Sequence, residues 1–112
     1  MELNELIKLA KSKNASDLHL SVNSKPLLRV DGMLESVESI SPLTADELTS
    51  IFMSLTSFDN LERFKRELEL DFKHILPDGT VLRCSVAQER GQISISLRIL
   101  SHTIDNRRTG IA

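Results

Sequence analysis

TVLRCSVAQERGQISISLRIL, residues 80–100, decides the fold of this chain. Side chains alternate across a β-strand, so residues two apart share a face. Leu82, Cys84 and Val86 are apolar on one side, and Ile93, Ile95, Leu97 and Ile99 repeat the pattern in the second half. A two-residue turn at Arg90-Gly91 sets Cys84 opposite Leu97, Val86 opposite Ile95 and Leu82 opposite Ile99. The apolar faces then match along the whole hairpin, which is what selects a register. The other face holds Ser85 opposite Ser96, Ala87 opposite Ser94, and Arg83 opposite Arg98. Directly opposed like charges repel; a counter-anion seated over the two arginines would remove that repulsion, and their small neighbours leave room for one.

The strand before the hairpin joins it by the same logic. Leu70 to Leu76 reaches it through Pro77-Asp78-Gly79, a three-residue connection with glycine at the left-handed position. That loop puts Phe72 opposite Cys84 and Leu70 opposite Val86. Asp71 then lies on the arginine face, diagonal to Arg83. Residues 2–13 are expected to form a helix with Leu3, Leu6, Ile7 and Ala10 on one face, stopped at Asn14. Residues 15–22, ASDLHLSV, read as a half-buried strand. Leu27 to Val30 and Met33 to Val37 read as a hairpin closed by Asp31-Gly32. Thr44 with Glu47 forms a capping box for a second helix, with Leu43 and Leu48 as its hydrophobic staple. Leu48, Ile51, Phe52 and Leu55 are its buried stripe. Asp59 is the expected cap of a third helix carrying Leu61, Phe64 and Leu68 inward, with Glu62 and Arg66 paired outside. The predicted class is α+β: a six-stranded, mostly antiparallel sheet with helices on one face.

At 112 residues, with 40% hydrophobic and 27% charged content, the chain is sized for one globular domain. A net charge of −2 gives no reason to expect a nucleic-acid partner. With four Phe and no Tyr or Trp, there is no stacking platform for single strands. The single cysteine implies neither a disulfide framework nor a zinc site. The amino terminus is too polar for a signal peptide, so a cytoplasmic protein is expected.

Two readings of Arg83 and Arg98 stand. They are solvated strand arginines, with Asp71 as the structural partner of Arg83, or they are a phosphate clamp, for which the planar guanidinium fork is suited. The register points both outward, so truncating them is expected to cost little stability, within about 0.5 kcal/mol; a collapsed melting temperature would assign them to the structural reading. Asp17 and His19 share a face, but no further ligand is spaced to make them a metal or general-base site, so a structural role is expected. Cys84 is expected to be core, with no cation beside it to form a thiolate. No nucleophile–base constellation and no G-x-x-x-x-G-K-[ST] occurs in the sequence, so the chain by itself is not expected to be an enzyme.

The stretches ASDLHL (15–20), RVDG (29–32), ELDF (69–72), LRCSV (82–86) and RGQISISLRIL (90–100) resemble the amino-terminal domain of the type II/IV secretion ATPase superfamily. Within it, they are most similar to the PilT-like twitching-motility ATPases. The resemblance covers about residues 1–100. It implies a PAS-like domain over 1–100, with 101–112 starting a linker to a RecA-like domain that carries the P-loop. It further implies a hexameric ring in the cytoplasm, at the inner-membrane base of the type IV pilus machine. ATP and Mg2+ would bind the parent, none tightly to this domain, and the RecA-like domain and neighbouring subunits would be its partners. The family's phosphate-sensing arginines fall on Arg83 and Arg98. Cys84-Ser85 stands where the family has Val-Asn, and Leu100-Ser101 where it has Ile-Pro; neither change removes a phosphate donor. The short stretch before ASDLHL favours the retraction type over assembly or secretion ATPases. The alternative function is a free-standing PAS-like sensor with a small ligand held inside its fold.

Overall fold

The computed structural model of the chain describes residues 2–100. The elements follow the order helix, three strands, two helices, three strands. They are α1 (Leu3–Ser12), β1 (Asp17–Ser21), β2 (Leu27–Val30), β3 (Met33–Ser36), α2 (Ala45–Leu55), α3 (Phe58–Glu67), β4 (Glu69–Ile75), β5 (Val81–Glu89) and β6 (Gln92–Leu100). The six strands form one sheet in the order β3-β2-β1-β6-β5-β4, and each neighbouring pair is antiparallel. This is a PAS-like α+β arrangement. The linker expected over 101–112 lies outside the described residues.

Both registers expected for the last three strands are present. Arg83 stands opposite Arg98 and Cys84 opposite Leu97, and Phe72 opposite Cys84. Arg90 and Gly91 have φ of 52° and 79°, the two left-handed central residues of a turn whose twist matches that of the strands. The side of the sheet bearing Leu18, Leu20, Leu28, Leu82, Cys84, Val86, Ile95 and Leu97 is buried in one core, with Leu6, Ile7, Ala10, Leu48, Ile51 and Phe52 from the helices. Phe52 and Phe64 meet edge to face at 5.0 Å and join α2 to α3.

Local signals set the helix ends. Asn14, at φ 56°, ends α1: its N–H bonds the Lys11 carbonyl at 3.1 Å, and the Ala15 N–H bonds that of Ala10 at 2.9 Å, a Schellman closure. Lys11 bonds Asp78 and Thr80, tying α1 to the β4–β5 loop. Thr44 caps α2 with a complete capping box. Thr44→Ala is expected to lower stability by about 1 kcal/mol, read as a shift in the urea midpoint at constant slope.

Helix α3 departs from expectation. Its cap is Ser57, whose Oγ accepts the Asn60 N–H at 3.3 Å, while Asp59 sits in the first turn, where it complements the helix dipole. Leu68 is 44% exposed because it is the left-handed residue that ends the helix, which turns its side chain off the buried stripe. The outer face pairs Glu62 with Lys65 and Arg63 with Glu67, in place of the expected Glu62–Arg66 pair. Strand β3, at the edge of the sheet, is exposed along its whole length.

Candidate functional site

The helices cover one face of the sheet, and the charged residues gather on the other. Arg83 follows Leu82 and precedes Cys84, both buried, so the period of two sends it outward. The same rule holds for Arg98 between Leu97 and Ile99. Strand pairing then lines up one continuous row. Lys73 on β4 stands opposite Arg83 on β5. Arg83 stands opposite Arg98 on β6. Arg98 stands opposite Asp17 on β1, and Asp17 opposite Arg29 on β2. Four cations and one carboxylate thus cross five strands at a spacing of about 4.8 Å.

Asp17 is 6% exposed. Its Oδ1 accepts from Arg98 Nε at 3.0 Å and its Oδ2 from Ser16 Oγ at 2.7 Å; Arg29 Nε lies 3.8 Å from Oδ2. Burial alone would raise its pKa. The hydrogen bonds from Ser16 and Arg98, with the charges of Arg98 and His19, outweigh burial and hold the carboxyl below its usual range. The structural role expected for Asp17 is therefore specific: it anchors Arg98. His19 Nδ1 meets Ser96 Oγ at 3.0 Å one row further along.

Arg83 differs from its partner. Among the described residues no carboxylate lies within 4.0 Å of its guanidinium. Asp71, the partner expected from sequence, accepts from Ser85 Oγ at 2.5 Å, the residue directly opposite it. A cross-strand neighbour is nearer than a diagonal one, so Asp71 is held on the serine. Asp17, Arg29 and Lys73 were not read as members of the arginine site. Lys73 was within reach of the β4–β5 register; the other two depend on pairings between strands far apart in sequence.

The Arg98 finding also corrects the expectation of equal, small stability effects. Arg98 is a direct partner of a buried carboxylate, and among the described residues Arg83 is the partner of none. Cys84 is buried in the core, where desolvation pushes its thiol up to about 12; it is inert. Among the described residues no group of three His, Cys, Asp or Glu is placed to hold a metal ion.

No family model matches the chain. It is 27% identical over 112 residues to the type IV pilus retraction ATPase PilT of Pseudomonas aeruginosa, a match spanning 99% of this chain and 32% of that protein. The crystal structure of the pilus retraction motor PilT with bound ADP superposes with a TM-score of 0.85 at 26% identity, covering 94% of this chain and 31% of that one. By sequence and fold, the chain is similar to the amino-terminal region of PilT. The Legionella pneumophila ATPase DotB shares the fold, with a TM-score of 0.74 over 88% of this chain and 29% of its own, at 19% identity. The chain thus spans about a third of the length of the PilT proteins that it matches.

Proposed function

We propose that this PilT-like chain works as the amino-terminal domain of a hexameric ATPase that powers type IV pilus retraction, and that Arg83 and Arg98 meet the phosphates of ATP. The observation that carries the proposal is the direct opposition of two arginines on the open sheet face, one without a carboxylate partner among the described residues. Such a pair is repulsive until an anion bridges it. Preorganised guanidinium groups aimed at a transferring phosphoryl group are an effective way to stabilise its developing charge. Arg98 is oriented through Nε by Asp17, which leaves its terminal nitrogens for a ligand; among the described residues Arg83 has no ion-pair partner.

On this reading the P-loop, the Mg2+ ligands and most of the nucleotide contacts belong to a RecA-like domain, and ATP lies between the two domains. Subunits of the ring meet at the inner-membrane base of the pilus machine, on the cytoplasmic side. Supporting a packed partner is an exposed apolar patch on α2 and α3, where Met53 and Phe58 are 58% and 72% exposed. The sensor reading requires an enclosed ligand cavity. The two concavities described, of about 610 and 620 Å3, are both open to solvent and are not of that kind.

The test is a structure of the full-length parent with a non-hydrolysable ATP analogue. A guanidinium of Arg83 or Arg98 at hydrogen-bond distance from the terminal phosphate is expected; both lying away from the nucleotide would reject the proposal. The 112-residue chain on its own is expected to release no phosphate from ATP above background. Release that is abolished by substituting a residue within it would overturn the division of labour.

A further inference from the structure

We propose that Lys73 is a third phosphate-binding residue, completing with Arg83 and Arg98 a three-cation site for the phosphate chain of a nucleoside triphosphate. This deepens the arginine reading and rests on it. Lys73 is exposed on the edge strand β4 and stands directly opposite Arg83. Arg83 therefore has a cation on each side, Lys73 on β4 and Arg98 on β6.

The Asp17 and Asp71 carboxylates on this face are both bonded elsewhere. Asp17 is committed to Arg98, Ser16 and Arg29 on the far side. Asp71, on the same face as Lys73, is held by Ser85 Oγ at 2.5 Å. Among the described residues neither Lys73 nor Arg83 forms an ion pair. An edge lysine discourages edge-to-edge pairing of sheets, but that task needs no second cation directly across the ladder, where it costs stability. A bound polyanion removes the cost. The flexible stem of lysine lets its ammonium converge with two guanidinium forks on one phosphate chain. Because Arg98 is half-occupied by Asp17, Lys73 is the nearest uncommitted cation to Arg83.

The experiment uses the 112-residue chain and inorganic tripolyphosphate as the probe, with amide NMR titration at low ionic strength. Perturbed amides are expected at 72–74, 82–84 and 97–99, with the helices silent. Lys73→Ala should weaken binding about fivefold, the scale of one screened surface charge contact. Lys73→Arg should retain it, and Lys73→Gln, which keeps most of the stem, should behave like the alanine variant. Lys8→Ala makes the same charge change on exposed α1 and should leave affinity almost unchanged. Unaltered amide dispersion establishes that each variant is folded. If Lys73→Ala and Lys73→Gln match Lys8→Ala while Arg83→Ala weakens binding, Lys73 is excluded and the arginine site stands. If Arg83→Ala is silent as well, or tripolyphosphate does not bind, the three-cation site is rejected, while the arginine reading is decided separately by the structure of the full-length parent with the ATP analogue.

Discussion

Arg83→Ala in the full-length motor is expected to lower turnover by roughly 10²- to 10³-fold while this domain melts within about 3 °C of the wild type. Arg83 lies on the open face, with no carboxylate partner among the described residues and a cation on either side. Truncating it opens no core cavity and relieves repulsion, so its stability effect stays within about 0.5 kcal/mol. On the proposed reading, the use of such a group lies in the liganded state. If it stabilises charge that grows on the transferring phosphoryl group, kcat falls more than nucleotide affinity does. Lysine at position 83 should recover only part of the rate, because a point charge lacks the bidentate fork. Turnover, nucleotide affinity and melting temperature measured on one preparation decide the matter. Unchanged turnover would remove Arg83 from the phosphate site, and a collapsed melting temperature would make it structural.

Arg98→Ala is expected to behave differently, destabilising the domain by about 1–3 kcal/mol at neutral pH. Its Nε bond to Asp17 and the bond from the Ser16 hydroxyl together compensate a carboxylate that is 6% exposed. Without it the carboxylate keeps Ser16 Oγ as its hydrogen-bond donor, with Arg29 Nε at 3.8 Å. The reciprocal change, Asp17→Ala, strands a side chain that is 64% exposed, which water re-solvates, so it should cost less. The double variant should be more stable than the sum of the two singles implies, with a coupling of at least about 1 kcal/mol, as residues in direct contact show. Urea midpoints for the four proteins test this, and equal midpoints for Arg83→Ala and Arg98→Ala would refute it. The same pair carries an acid signature. The Asp17 carboxyl titrates lower in the folded protein than in the unfolded chain. Its contribution is therefore complete above the unfolded value, about 3.9, and is lost as pH falls through the lowered folded value. Asp17→Asn should flatten the fall in stability over that acid range, seen in melts from neutral pH downward.

Much of this protein was decided by residues near one another in the chain. The hairpin of β5 and β6 and its pairing with β4 followed from the period of two and two short turns, because a turn of known length admits few registers and one of them matches both apolar faces. The opposition of Arg83 and Arg98 was legible for that reason. So were the capping box at Thr44 and the stop at Asn14, each a hydrogen-bond requirement met within a few residues. The pairing of β1 with β6 was beyond such reasoning, since nothing local sets Asp17 beside Arg98, 81 residues away. Nor could spacing tell which acceptor Asp71 serves; that depended on whether Ser85 or Arg83 came within reach in the folded sheet. Sequence determined that two arginines meet on an open face. Tertiary structure decided that one of them is bound to a buried carboxylate and the other is not, because partners for a charge are chosen by distance through space, and burial, which makes that choice costly to undo, exists only once distant strands have closed into one sheet.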